Sequence, residues 1–172
     1  DAGAGLINDV MALRRPGALE AARSSGLPVC LMHMQGVPAT MQDAPHYTDV
    51  VGEVRDFLAA RLAAAEAAGI PRQRLVGDPG FGFGKTDLHN AALLARLGEI
   101  SALGVPVLAG LSRKSLVGRV LGRALPDRLA GSVAAAAIAT WNGASIIRAH
   151  DVAETLDAVR LAAYVRTGGC QA

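Results

Sequence analysis

The chain has 172 residues, about half of them apolar, and its 17 basic and 15 acidic side chains leave a net charge of +2. That length and apolar share suit one globular domain with a sizeable core and exclude a disordered chain. The charges are scattered, with no run that would track a nucleic-acid backbone, and no stretch approaches the roughly 18 apolar residues of a membrane span, so neither nucleic acid nor membrane is an expected partner.

In chain order, "GLIND" (5–9) reads as a strand, and "PGALEAARSSG" (16–26) as a helix opened by Pro16 and stopped by Gly26. "PVCLMHM" (28–34) is the second strand. "YTDVVGEVRDFLAARLAAAEAAG" (47–69) is the longest helix, with Thr48 as cap and Gly69 as stop. Its Val50, Val54, Phe57, Leu58, Leu62 and Ala65 form an apolar face opposite Glu53, Arg55, Asp56 and Glu66. Strand "RLVGD" (74–78), helix "DLHNAALLARLGEISALG" (87–104) and strand "PVLAGL" (106–111) follow, then helix "PDRLAGSVAAAAIATWNG" (126–143), strand "SIIRAH" (145–150) and helix "VAETLDAVRLAAYVR" (152–166). Three helix exits share a glycine that can turn left-handed and a proline that prevents continuation: "GLP" at 26–28, "GIP" at 69–71 and "GVP" at 104–106. The alanine-rich helix is apolar nearly all round and is expected to be sandwiched between neighbours.

Strands apolar on both faces and alternating with helices predict an α/β domain, a parallel sheet covered by helices, with no boundary inside 1–172. The start "DAGAGLINDV" lacks the regions of a signal peptide, and the two cysteines, Cys30 and Cys170, offer no disulfide framework. A reducing cytoplasm is therefore the expected compartment.

Parallel strands place their carboxyl ends on one edge, where α/β folds bind ligands. At or just beyond those ends stand Asn8 with Asp9, His33 with Gln35, Asp78, Ser112 with Arg113 and Lys114, and Arg148 with His150 and Asp151. Polar residues follow apolar strands in any fold, so no single one of these is telling; five ends together point to a site. "DPGFGFGKT" (78–86) is not a P-loop, because Pro79 stands where that motif requires glycine. Its glycines permit close backbone approach or unusual dihedrals, and its phenylalanines either pack as a lid or stack on a ligand. Asp78 can accept two parallel hydrogen bonds from a planar amine and amide edge. His33 is read as lining the base of the site or bonding backbone rather than ligating metal, and Met32 as strand packing within reach of a flat ligand. His46 and His89 are read as surface residues, Arg113 as a solvated charge and Asp151 as a helix cap. Trp141 is assigned to the core or to a dimer interface.

"LINDV", "PVCLMHMQGVPATMQ", "DPGFGFGKT", "LSRKS" and "IIRAHDV", in that order and spacing, resemble the dihydropteroate synthase family of folate biosynthesis over nearly the whole chain. The resemblance implies a partial (β/α)8 TIM barrel running from strand four to helix eight of the family fold. On this reading 1–172 is a single, N-terminally truncated pterin-binding domain. Five strands fall short of the ring of eight, so the chain alone is expected to be inactive. The implied reaction is the condensation of 6-hydroxymethyl-7,8-dihydropterin diphosphate with p-aminobenzoate to 7,8-dihydropteroate, releasing pyrophosphate, by a transferase that is a sulfonamide target.

By the same resemblance Arg148, His150 and Lys114 are the catalytic residues. Asn8, Asp78, Lys114, Arg148, His150 and Met32 bind the pterin diphosphate, and Ser112 and Phe83 bind p-aminobenzoate. Mg²⁺ is the implied cofactor, its ligand lying outside this chain, and a homodimer is the implied assembly of the full-length protein. Another phosphate- or pterin-binding (β/α) barrel enzyme and a noncatalytic fragment stand as the alternatives.

Overall fold

Each apolar run forms a parallel strand shorter than the run: 5–9 loses its first two residues and 74–78 its first, while the other three runs are trimmed at both ends. The structure, a computed structural model, describes residues 3–169, so Cys170 lies outside the described residues. The strands are β1 (Ile7–Asp9), β2 (Val29–Met32), β3 (Leu75–Asp78), β4 (Leu108–Ala109) and β5 (Ile146–Ile147). Spatial order follows chain order: β1-β2-β3 form one sheet and β4-β5 another, joined by the parallel bridge Gly77–Val107. Val29 pairs with Leu75, Met32 with Asp78 and Ala109 with Ile147.

The crossovers are helical: α1 (Ala18–Ser25), α2 (Val50–Ala67), α3 (Asp87–Ala95), α4 (Leu97–Ser101), α5 (Ser115–Leu121), α6 (Leu129–Trp141) and, after β5, α7 (Val152–Arg166). The expected α/β class, with parallel strands covered by helices, is borne out.

Alternation along each strand sends one set of side chains to the helices and the other to the concave face. On the helix side Val29, Leu31 and Leu75 pack with Leu62, Ala65 and Ile70, while Val107 and Ala109 pack with Val51, Val54, Leu58, Leu97 and Ile100. On the concave side Cys30, Val76 and Leu108 form a floor with Leu6 and Ile146. The three glycine exits are left-handed as expected, with φ of 71° at Gly26, 88° at Gly69 and 75° at Gly104.

Three local expectations are corrected. α2 is entered at Asp49 rather than capped by Thr48, because the Glu53 carboxylate reaches back to accept from the Thr48 and Asp49 N–H groups at 2.8 and 3.1 Å. The 87–104 helix breaks at Arg96 (φ −105°, ψ 24°), whose guanidinium binds Glu99 at 2.7 Å and Asp49 at 3.1 Å. α6 is covered on one side only: Ala135, Ala136 and Ala139 are buried, whereas Ile138 and Trp141 are 48% and 53% exposed, beside exposed Leu161 and Tyr164 of α7. Trp141 is thus not core within this chain. Among the described residues no helix is long and apolar enough to cross a membrane.

Candidate active site

The alternation that puts Cys30, Val76, Leu108 and Ile146 on the concave floor also puts Met32, Asp78, Gly110 and Arg148 on that face, one pleat nearer the strand ends. Met32 lies in register with Asp78. Arg148 N–H donates to the Ala109 carbonyl at 3.0 Å, and its guanidinium passes over Gly110, where a Cβ would stand 3.0 Å from it. Glycine at 110 therefore makes room for the arginine. Asn8 shares the face but is exposed and level with Cys30, a pleat below Asp78.

Asp78 is 5% exposed, and its Oδ1 accepts from Gly80 N–H at 2.7 Å. Burial pushes its pKa up, opposed by that hydrogen bond and then by the charges of Lys114, Arg148 and Lys85. Lys114 donates to the Phe81 carbonyl and sits 4.9 Å above the Phe83 ring. Burial pushes Lys114 down to about 8, with Asp78 pulling the other way. The fold thus gathers one carboxylate, an amine of softened basicity and a guanidinium over an apolar floor.

Ser112 and His150 meet at the rim: His150 N–H donates to Ser112 Oγ at 3.2 Å, and its Nδ1 lies 3.0 Å from the same oxygen. Arg113 is not a free solvated charge. It pairs with Asp151, Nε to carboxylate at 3.1 Å, and the Asp151 side chain makes no cap bond to α7.

The glycine loop realises both roles expected of it. Gly80, Gly82 and Gly84 all have positive φ, at 67°, 80° and 64°. A Cβ on Gly80 would overlap the His33 carbonyl oxygen, and one on Gly84 would stand 2.5 Å from that of Gln35. The two phenylalanines divide: Phe81 is buried in the core, and Phe83 is half-buried against Lys114. Beyond the loop a cleft of about 660 Å³ opens beside Lys114, lined by Phe81, Gly82, Asn90, Ser115 and Arg119.

His33 lies on the helix side, not at the base of the cup. Its ring meets Phe57 edge-on at 4.8 Å, and its Nδ1 stands 2.9 Å from the Lys85 ammonium. Burial, then the charges of Lys85 and Arg14, push His33 down to about 3, so it is neutral at pH 7. Its value in the unfolded chain is near 6.5, so unfolding takes up a proton between those limits. The stability His33 contributes is complete above pH 6.5 and lost as pH falls toward 3. Asp78, raised by burial, works in the opposite sense. Urea unfolding of wild type and His33→Gln at about pH 7 and about pH 4.5 is expected to show the stability gap between them narrowing in acid.

Among the described residues no group of three or more His, Cys, Asp and Glu side chains could hold a metal ion. What the cup offers instead is a two-acceptor carboxylate and flanking cations, matched to a flat ring with adjacent N–H donors and an anionic tail. Residues 1–150 match the family model described as "Pterin binding enzyme". The chain belongs to the pterin-binding enzyme family.

Within that family its sequence is 54% identical over 159 residues to the dihydropteroate synthase of Escherichia coli strain K12, covering 92% of this chain and 56% of that protein. The structure matches the Yersinia pestis dihydropteroate synthase in a sulfonamide drug complex with a TM-score of 0.93 at 50% identity, covering 97% of this chain and 61% of that one. It matches the Xanthomonas albilineans dihydropteroate synthase in complex with 7,8-dihydropteroate with a TM-score of 0.89 at 51% identity, covering 99% and 62%. The resemblance to dihydropteroate synthase is borne out, and the chain spans less than two thirds of each of these relatives.

Two residues near the candidate site are not picked out by the sequence reading. The pattern "GKT" raises Lys85 only as part of a P-loop, yet the side chain is 2% exposed and internal. Ser115 lines the outer cleft where Ser112 was expected to serve, since Ser112 is engaged by His150. The rule that polar groups follow strand ends finds Ser112 first and carries no signal for a residue a turn further on.

Proposed function

We propose that the chain carries the pterin-binding wall of a dihydropteroate synthase, the transferase that joins 6-hydroxymethyl-7,8-dihydropterin diphosphate to p-aminobenzoate. The observation that best supports this is Asp78, a carboxylate buried at a strand end with one oxygen held by Gly80 and with Lys114 and Arg148 in electrostatic reach. It accepts from the amino group and ring N–H of the pterin, with Met32 against the ring and Asn8 reaching the ring's edge from β1, two strands away and a pleat lower. Lys114 meets the pterin carbonyl and ring nitrogen, and the Arg148 guanidinium stacks on the ring face.

When the methylene carbon–oxygen bond breaks, its electron pair leaves with pyrophosphate and cationic character develops on carbon. Arg148 and His150 stabilise the growing negative charge of the leaving group. The p-aminobenzoate amine then forms the carbon–nitrogen bond and loses a proton, and no protein nucleophile is needed; positioning carries much of the rate. The aromatic acid lies by Phe83, with its carboxylate toward Ser112 or, one turn on, Ser115. The described residues offer no cluster of three or more His, Cys, Asp and Glu ligands, the resemblance places the ligand of the implied Mg²⁺ outside this chain, and no step here runs through that ion. The exposed Ile138, Trp141, Leu161 and Tyr164 support a homodimer through α6 and α7, and the buried thiol of Cys30 suits a reducing cytoplasm.

Titrating this chain with 6-hydroxymethylpterin diphosphate and following pterin fluorescence tests the reading. Saturable binding that uridine diphosphate, which lacks the amino-pyrimidine edge, does not compete away is expected; binding of either diphosphate alike would overturn it in favour of a general phosphate site.

A further inference from the structure

The lysine of "GKT" reaches no solvent and no carboxylate. Lys85 Nζ has three acceptors for its three protons: the Gly80 carbonyl at 3.1 Å, the Phe83 carbonyl at 3.0 Å and His33 Nδ1 at 2.9 Å. Two of these lie in the glycine loop, and the third lies just past the end of β2. The loop lies hard against the same stretch of backbone, since neither Gly80 nor Gly84 has space for a Cβ against His33 and Gln35. Across the loop, Asn90 Oδ1 accepts from Gly82 N–H at 2.7 Å, and its amide donates to the Thr86 carbonyl at 2.7 Å. The carbonyl of Phe81, between these anchors, takes the Lys114 ammonium, and Phe83 lies beneath it.

We propose that Lys85 is a positioning residue, a buried staple that holds the 80–84 turn to the end of β2 and thereby sets where Lys114 and Phe83 stand beside the ligand. A buried ammonium without a carboxylate is costly, and Lys85 bears the mark of it, its pKa pushed down by burial to about 7 against the pull of Asp78. An apolar side chain of the same length would avoid that cost but strand two carbonyls and an imidazole nitrogen, so burying the charge does not by itself account for a lysine here. Holding two carbonyls and an imidazole in one geometry does.

The effect on ligand rests on the function proposed above; the effect on the loop does not, and the experiment separates them. In Lys85→Met, amide hydrogen exchange at Gly82, Phe83 and Gly84, measured without ligand, is expected to quicken about 10-fold or more while β1 and α7 keep their protection. The urea midpoint falls, since three buried acceptors lose their donor while the cost of the buried charge is relieved, and the ¹⁵N resonance of His33 Nδ1 shifts as it loses its donor. Affinity for 6-hydroxymethylpterin diphosphate falls about 10-fold or more as Lys114 loses its fixed place. His33→Phe keeps the ring against Phe57 but removes one acceptor, and is expected to loosen the same amides by a smaller factor, which carries the test if the methionine variant does not fold. Unchanged loop exchange in whichever variant folds overturns the inference, as does loosening spread evenly over the whole chain. A loosened loop with unchanged affinity overturns the positioning role. A wild-type chain that binds no pterin overturns the function instead, and the staple then stands or falls by the amides alone.

Discussion

Asp78→Asn is expected to weaken binding of 6-hydroxymethylpterin diphosphate roughly 100-fold, about 2.7 kcal/mol, with little change in the urea midpoint. Asparagine keeps an oxygen for Gly80 N–H, the bond that holds the wild-type turn at 2.7 Å, so the loop entry survives. What is lost is the second acceptor and the negative charge. A hydrogen bond to a charged group contributes about 1.5–3 kcal/mol, and the replacement presents an NH₂ where the ligand also presents a donor. Lys114, Arg148 and Lys85 also lose the carboxylate that offsets their mutual repulsion, an effect that grows in a buried cup. Fluorescence titration of both proteins, beside urea unfolding of both, checks the prediction. Equal affinities would remove Asp78 from the binding site.

Gly80→Ala is expected to be the most damaging conservative change in the chain. At φ 67° an L side chain costs about 1–2 kcal/mol, and forcing a methyl into filled space typically costs a further 1–3 kcal/mol or so. The atom it strikes is the His33 carbonyl oxygen, part of the backbone where His33 N–H donates to Asp78 O at 2.9 Å, so no rotamer change relieves it. At roughly 2–4 °C per kcal/mol for a chain of this size, a fall in Tm of about 4–20 °C follows. Gly26→Ala is the control: its φ is 71°, yet nothing lies within 4 Å of the new methyl, so only the backbone cost remains. Thermal unfolding followed by circular dichroism should rank wild type above Gly26→Ala and Gly26→Ala well above Gly80→Ala.

Asp78 and Arg148 were legible in the sequence because a strand has period two: once "RLVGD" and "SIIRAH" are strands, their alternate side chains share a face. The exits at Gly26, Gly69 and Gly104 were legible because left-handed backbone and proline leave a local signature. The break at Arg96 was not, since no glycine or proline marks it and its guanidinium is held in part by Asp49, 47 residues away. Lys85 was hidden for a related reason. Its histidine partner is 52 residues distant and its other partners are carbonyls, which every residue carries and which therefore leave no trace in a pattern of side chains. For Ile138 and Trp141 composition alone does not settle the placement: the helix is apolar nearly all round, yet these two side chains are 48% and 53% exposed within this chain.

Among the described residues a single isolated bridge, Gly77 to Val107, stitches the first three strands to the last two. Asp78 stands on one plate, while Lys114 and Arg148 belong to the other. Any molecule gripped by both spans that joint and acts as a rivet across it, so occupancy stiffens the arc at its weakest line as well as filling the cup. Heating the chain in the presence of such a molecule should raise its melting point in step with the logarithm of ligand concentration, and hydrogen exchange at Gly77 should slow more than that at Leu31, deep within a single plate.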